Sequence, residues 1–130
     1  MEIKDKQRVY KDNFELLDDP MSQSEYLIQL GLKKPALEEI HKDENRIEGC
    51  KTAVWITTEK TAGKSHFKAD SDSILVKGML HIFEDLYQDR EIKEIRKNPP
   101  DFAESVSDEV IYPEIKHNGL LKCYEKIANL

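Results

Sequence analysis

The stretch from Ser73 to Leu86 constrains this chain most. Ile74, Leu75, Met79, Leu80, Ile82, Phe83 and Leu86 place apolar side chains on most sides of one helix. A helix that apolar has to be central and packed on a sheet. Just before it, Asp70-Ser71-Asp72-Ser73 is a run of N-cap residue types, so the helix is expected to start there. Hard oxygen ligands of this kind also suit magnesium or calcium. The further ligands and the terminal Glu of a calcium loop are missing, which favours capping.

The sheet comes from the segment ahead of that helix. Thr52 to Thr58 alternates, with Ala53, Trp55 and Thr57 on one face and Val54 and Ile56 on the other. Glu59 to Lys64, with Gly63, reads as a turn. Ser65 to Ala69 reads as a second short strand with Phe67 and Ala69 on one face, completing a hairpin. Arg46 to Gly49 offers a third strand, running into Cys50.

Helices are expected on either side. Tyr10, Phe14 and Leu17 form a helical stripe over Gln7 to Leu17, ended by Asp18-Asp19-Pro20; residues 1–6 read as a charged, frayed end. Ser22-Gln23-Ser24-Glu25 fits a capping box and predicts a helix from there, with Tyr26, Leu27 and Leu30 inward and Gly31 closing or interrupting it. Pro35 starts a further turn carrying Leu37 and Ile40. His41 to Asn45 reads as loop. Asp89 is placed to cap a short helix through Lys97, which Asn98-Pro99-Pro100 stops. Phe102, Val106, Val110 and Ile111 anchor an irregular stretch, and Pro113 to His117 reads as a loop. A last helix from Asn118 or Gly119 carries Leu120, Cys123, Tyr124 and Ile127. The sum is an α+β single domain of 130 residues, a size that supports one core.

Composition narrows the function classes. The net charge is −6 with no long Lys/Arg cluster, which argues against nucleic-acid binding. No apolar run is long enough to span a bilayer, and the charged N-terminus lacks a signal-peptide core, so a cytoplasmic location is expected. Phosphate-loop, dinucleotide-loop and serine-nucleophile motifs are missing.

That leaves the two cysteines. They lie far apart in sequence and form no C-x-x-C pair, which argues against a structural zinc site. In a reducing compartment a disulfide between them is not expected. Cys123 lies within an apolar helical stripe and reads as core. Cys50 follows Gly49 at a loop-to-strand junction, beside Lys51, with Arg46 and Lys77 as further cations near in space; that is where a reactive thiolate belongs. An inert small residue beside a strand is the alternative. None of His41, His66, His81 and His117 pairs with a cysteine in sequence, and each reads as solvated or hydrogen-bonded. A Cys–His dyad assembled in space stays open.

Two stretches carry a resemblance. Gly49-Cys50-Lys51-Thr52-Ala53-Val54-Trp55 resembles the G-C-x-S-x-V-W of the SufE family (SufE/CsdE-like), with Thr52 for Ser. Ala69-Asp70-Ser71-Asp72-Ser73-Ile74-Leu75-Val76-Lys77-Gly78 resembles the family's G-D-S-D-x-x-I-V-x-G, with Ala69 for Gly. Lys116-His117-Asn118-Gly119-Leu120 is a weaker match to R-x-N-G-L. There Lys116 replaces Arg and loses the bidentate fork, and the spacing from Pro113 to Gly119 is one residue longer. The resemblance implies a three-stranded antiparallel sheet covered by helices, as in U-type scaffold proteins. It implies sulfur transfer: Cys50 as persulfide acceptor from a SufS- or CsdA-like cysteine desulfurase, which the chain stimulates, with delivery to a SufBCD-like iron–sulfur scaffold complex. The PLP belongs to the desulfurase, and this chain is expected to need no cofactor and no metal. Gly49, Lys51, Thr52, Trp55, Asp70, Ser71, Asp72 and Lys116 are the expected loop and support residues. A resting thiol turned inward in a loop over residues 44–52, and outward on a partner, is the expected device. A U-type metal or iron–sulfur scaffold, a cysteine-dependent hydrolase and an interaction module without chemistry are the rival readings.

Overall fold

The computed structural model describes residues 1–130. Helix α1 spans Ile3–Leu16 and α2 spans Pro20–Leu32. A hairpin follows, β1 Val54–Thr61 and β2 Lys64–Ser71, then α3 Ile74–Tyr87 and the short α4 Ile92–Arg96. The last helix opens with a π-helical turn, Ile115–Leu120, and continues as α5, Leu121–Ala128. No helix is long and apolar enough to cross a membrane.

The apolar helix is central, as its sequence requires. Met79, Leu80, Ile82 and Leu86 of α3 are fully buried. Helix α2 crosses α3 almost backbone to backbone, at Gly31 and Gly78. A Cβ on Gly78 would run into the carbonyl oxygen of Leu27 and lie 2.9 Å from its carbonyl carbon. The apolar hairpin face, Val54, Ile56, Phe67 and Ala69, is buried too.

The hairpin has two strands, not three. Register runs from Val54↔Ser71 to Thr61↔Lys64, and Ala62 and Gly63 both adopt positive φ, 53° and 78°. That is the primed turn that matches strand twist. Arg46 to Gly49 contributes one isolated bridge, Arg46↔Trp55, and one bond, Ile47 N–H to Val54 O at 2.8 Å. Gly49, at φ 80°, then turns the chain away before a ladder can form. The other edge is covered by residues 88–91. Asp89 N–H donates to Ser65 O and the Gln88 amide brackets Phe67. Asp89 therefore guards the edge and does not cap α4, whose N-cap position is Glu91.

Three further helix starts differ from the sequence pattern. Helix α1 begins at Ile3, which is buried, and Lys6 pairs with Asp85 of α3 at 2.6 Å. Helix α2 begins at Pro20: Asp19 accepts from Ser22 N–H at 2.9 Å, and Pro occupies the first helical turn. The box at Ser22 is left unused because Gln23 faces inward. Its amide donates to the carbonyls of Phe14, Leu17 and Ser105 and accepts from Ser107 N–H. The predicted loop over Pro113 to His117 is instead helical from Pro113 and passes into the π turn.

Candidate functional site

The Cys50 loop is pinned at both ends and exposed between. Ile47 and Ala53 are buried, whereas Glu48, Gly49 and Lys51 face solvent. Cys50 itself points inward and is only 7% exposed. Its Sγ packs against Gly119 on the π turn, 3.0 Å from where a Cβ on that residue would sit. A side chain at 119 would crowd the sulfur, so the missing Cβ makes the seat. Both cysteines are free thiols.

The electrostatics of this seat are mixed. Burial pushes the Cys50 thiol up, and the Glu114 carboxylate adds to that. The Thr52 backbone N–H, Arg46 and Lys122 favour the thiolate, but burial prevails. The resting thiol is thus protonated and slow. Cys123 is fully buried and its thiol is pushed up to about 12, first by burial and then by Cys50.

The support residues divide into two groups. Ser71 Oγ donates to Ala53 O at 2.7 Å and accepts from Ser73 N–H, fixing the point where the loop enters β1. Asp70, almost fully buried, accepts from Leu37 N–H at 3.1 Å and from His41 Nε2–H at 2.7 Å. The His41 ring stacks on Trp55 at 3.8 Å. Asp70 thereby ties the segment before the loop to the hairpin. The cap of α3 is Ser73, whose Oγ accepts from Val76 N–H; Asp70 and Ser71 serve the loop, and Asp72 is exposed. The capping expectation holds for the fourth residue of the cluster and not for the first three.

Lys77 pairs with Asp70 at 3.7 Å rather than approaching the thiol. Lys116 is buried and donates to Val106 O and to Asp108 at 2.9 Å. It anchors the 106–108 segment to the last helix and stands apart from the Cys50 seat. Lys51 is exposed at the loop tip, and Thr52 acts through its backbone. Two site residues escaped the sequence reading. Gly119 carried a signal, the N-G-L match. Lys122, which donates to Glu48 O at 2.8 Å, carried none.

Asp70 gives a pH-dependent prediction. Burial works against its charge, but the Leu37 amide, His41, the Ser71 amide and Lys77 together hold its carboxyl below the usual range. A depressed carboxylate contributes stability above its unfolded pKa, about 4, and loses it as pH falls through the folded value. Asp70→Ala is expected to cost about 1–3 kcal/mol near neutrality, since it strands two donors. In denaturant titrations across pH, the gap to wild type should close in acid. A gap that stays constant would contradict this account.

Comparison with known proteins decides the family. The model of the SufE Fe–S metabolism associated domain matches residues 8–130. This chain belongs to the SufE family. An uncharacterized SufE-like protein of Synechocystis is 30% identical over 115 residues, covering 88% of this chain and 72% of that protein. One of Rhizobium meliloti is 29% identical over 91 residues, 66% of this chain and 65% of the relative. SufE-like protein 1 of Arabidopsis thaliana, chloroplastic/mitochondrial, is 30% identical over 110 residues, 83% of this chain; the chain spans 30% of that protein's length. SufE membership ties the chain to iron–sulfur metabolism, and the family is associated with cysteine desulfurases.

Proposed function

We propose that this chain is a sulfur carrier that takes sulfane sulfur from a PLP-dependent cysteine desulfurase onto Cys50, stimulates that enzyme, and hands the sulfur to an iron–sulfur scaffold. The observation that carries the reading is a free cysteine turned inward at the tip of a pinned, glycine-flanked loop in a SufE-family chain. The desulfurase is SufS- or CsdA-like and the scaffold SufBCD-like in this reading, and PLP belongs to the desulfurase. A reducing compartment such as the cytoplasm suits the chemistry.

The transfer is thiol–disulfide exchange. Cys50 gives up its proton, and its thiolate attacks the outer sulfur of the desulfurase's cysteine persulfide. One S–S bond forms and one breaks. The desulfurase cysteine leaves as a thiolate and is reprotonated; nothing is oxidised or reduced overall. Delivery repeats the exchange on an acceptor thiol. The inward seat shields the thiol from oxidants and also keeps it from a partner's active site. Docking therefore has to favour an outward loop, and a partner that binds only that state shifts the population by its differential affinity.

The rival readings find less support. No three His, Cys, Asp or Glu side chains converge into a metal-binding group, as a metal or cluster scaffold would need. The charged groups acting on Cys50 are Glu114, Arg46 and Lys122, with no histidine to serve as a hydrolase base. The test is turnover of free cysteine by a cysteine desulfurase, followed as alanine released, with and without this chain. Turnover is expected to rise and to saturate with added chain. No change at any ratio, with every family desulfurase tried, would overturn the proposal.

A further inference from the structure

Gly119, Lys122 and Cys123 lie on one face of the last helix, at the three- and four-residue spacings that make neighbours. That face meets the Cys50 loop. Gly119 sits under the sulfur, and Cys123 is buried one turn further on. Lys122 reaches outward from the same face. Its Nζ donates to the carbonyl oxygen of Glu48 at 2.8 Å. A Cβ on Gly49 would lie 3.1 Å from that Nζ, so the ammonium fills the space beside the turn. Lys122 takes part in none of the ion pairs of the protein, so its one hydrogen bond is to the loop. Arg46, Glu48 and Lys122 also line an open cleft of about 530 Å³, so the latch faces solvent and a partner can reach it.

We infer that Lys122 is a positioning residue for sulfur transfer: its ammonium latches the Cys50 loop, through Glu48 and Gly49, in the inward state. The inference rests on the sulfur-carrier reading for its purpose, but the latch exists in the isolated chain. The loop is otherwise held at its ends, by Ile47 N–H to Val54 O and Ser71 Oγ to Ala53 O, and within by the Thr52 N–H to Cys50 and the packing of Cys50 on Gly119. Breaking one hydrogen bond from a cation therefore shifts the balance toward the outward state. The same cation favours the thiolate, so the latch residue acts on both exposure and ionisation.

The test is alkylation of Cys50 by iodoacetamide in the full chain, mapped by mass, as a function of pH. The plateau rate at high pH reads exposure of the sulfur, and the midpoint reads its ionisation. Lys122→Met is expected to raise the plateau about two- to tenfold, the scale of one hydrogen bond; the midpoint answers to two opposed changes, the lost cation and the relieved burial, so the plateau is the deciding readout. Lys122→Arg keeps the cation and should restore the wild-type plateau. Amide exchange over residues 46–52 should quicken in Lys122→Met alone. An unchanged or slower plateau in Lys122→Met would overturn the latch, as would an equal rise in Lys122→Arg, which would make the effect one of packing. No desulfurase enters the measurement, so its failure leaves the carrier reading standing. Failure of that reading appears instead in the Cys50 variants below.

Discussion

Cys50→Ser is expected to return desulfurase turnover to the rate of the desulfurase alone. A serine hydroxyl fits the seat over Gly119, so the fold should be kept. At neutral pH it has no counterpart of the thiolate, and attack on a persulfide needs one. Cys123 offers no substitute. It is fully buried and its thiol is pushed up to about 12, so it is neither reachable nor ionised. Cys123→Ala should accordingly keep the stimulation, with some loss of stability from the space left in the core. Parallel turnover assays on the two variants check this, with melting curves to verify that both are folded. A folded Cys50→Ser protein that stimulates like wild type would remove Cys50 from the mechanism.

Gly78→Ala is expected to be the most damaging single methyl in the chain. The added Cβ would run into the Leu27 carbonyl oxygen and lie 3.0 Å from its Cα, and Gly31 is similarly closed by Ile74. At both glycines the nearest neighbour is a backbone carbonyl oxygen, not a flexible side-chain end, so the two helices have to part. Parting them opens the packing around Leu27, Met79 and Leu80, all fully buried. Overpacking costs about 1–3 kcal/mol and occasionally more; a clash with rigid backbone belongs at the upper end, a large share of a domain's stability and a fall in Tm of about 10 °C. Gly63→Ala is the control. Its Cβ would meet nothing, and only the left-handed φ of 78° opposes it, at about 1–2 kcal/mol. Calorimetry on both variants checks the order. A Gly78→Ala protein that melts with wild type would show that α2 and α3 do not pack as closely as described.

The sequence makes the large elements legible because each carries its own period. The stripe of Tyr10 and Phe14, the alternation of Val54 and Ile56 and the apolar residues of α3 all depend on local spacing. What it hides depends on competition or on distance. Asp19-Pro20 outcompeted a capping box two residues on, because Gln23 was needed inside to bond Phe14, Leu17 and Ser105. The third strand failed because one residue, Gly49, left the ladder after a single bridge. The loop expected before Asn118 is helix, and its π turn has no signature in local spacing.

The site divides in the same way. Cys50 and its glycine stood out from their neighbours in sequence. The roles of Asp70 and Ser71 did not, because their partners, Leu37, His41 and Ala53, come from other segments. Lys116 kept the charge of the motif and spent it on Val106 and Asp108. Lys122 joins the loop across 74 residues, and no local pattern announces such a contact.

The most direct measurement is the intact mass of this chain after incubation with a cysteine desulfurase and free cysteine. A gain of one sulfur atom is expected, mapped to Cys50, removed by a thiol reductant and missing in Cys50→Ser. No gain in mass, or the same gain in a folded Cys50→Ser protein, would contradict it.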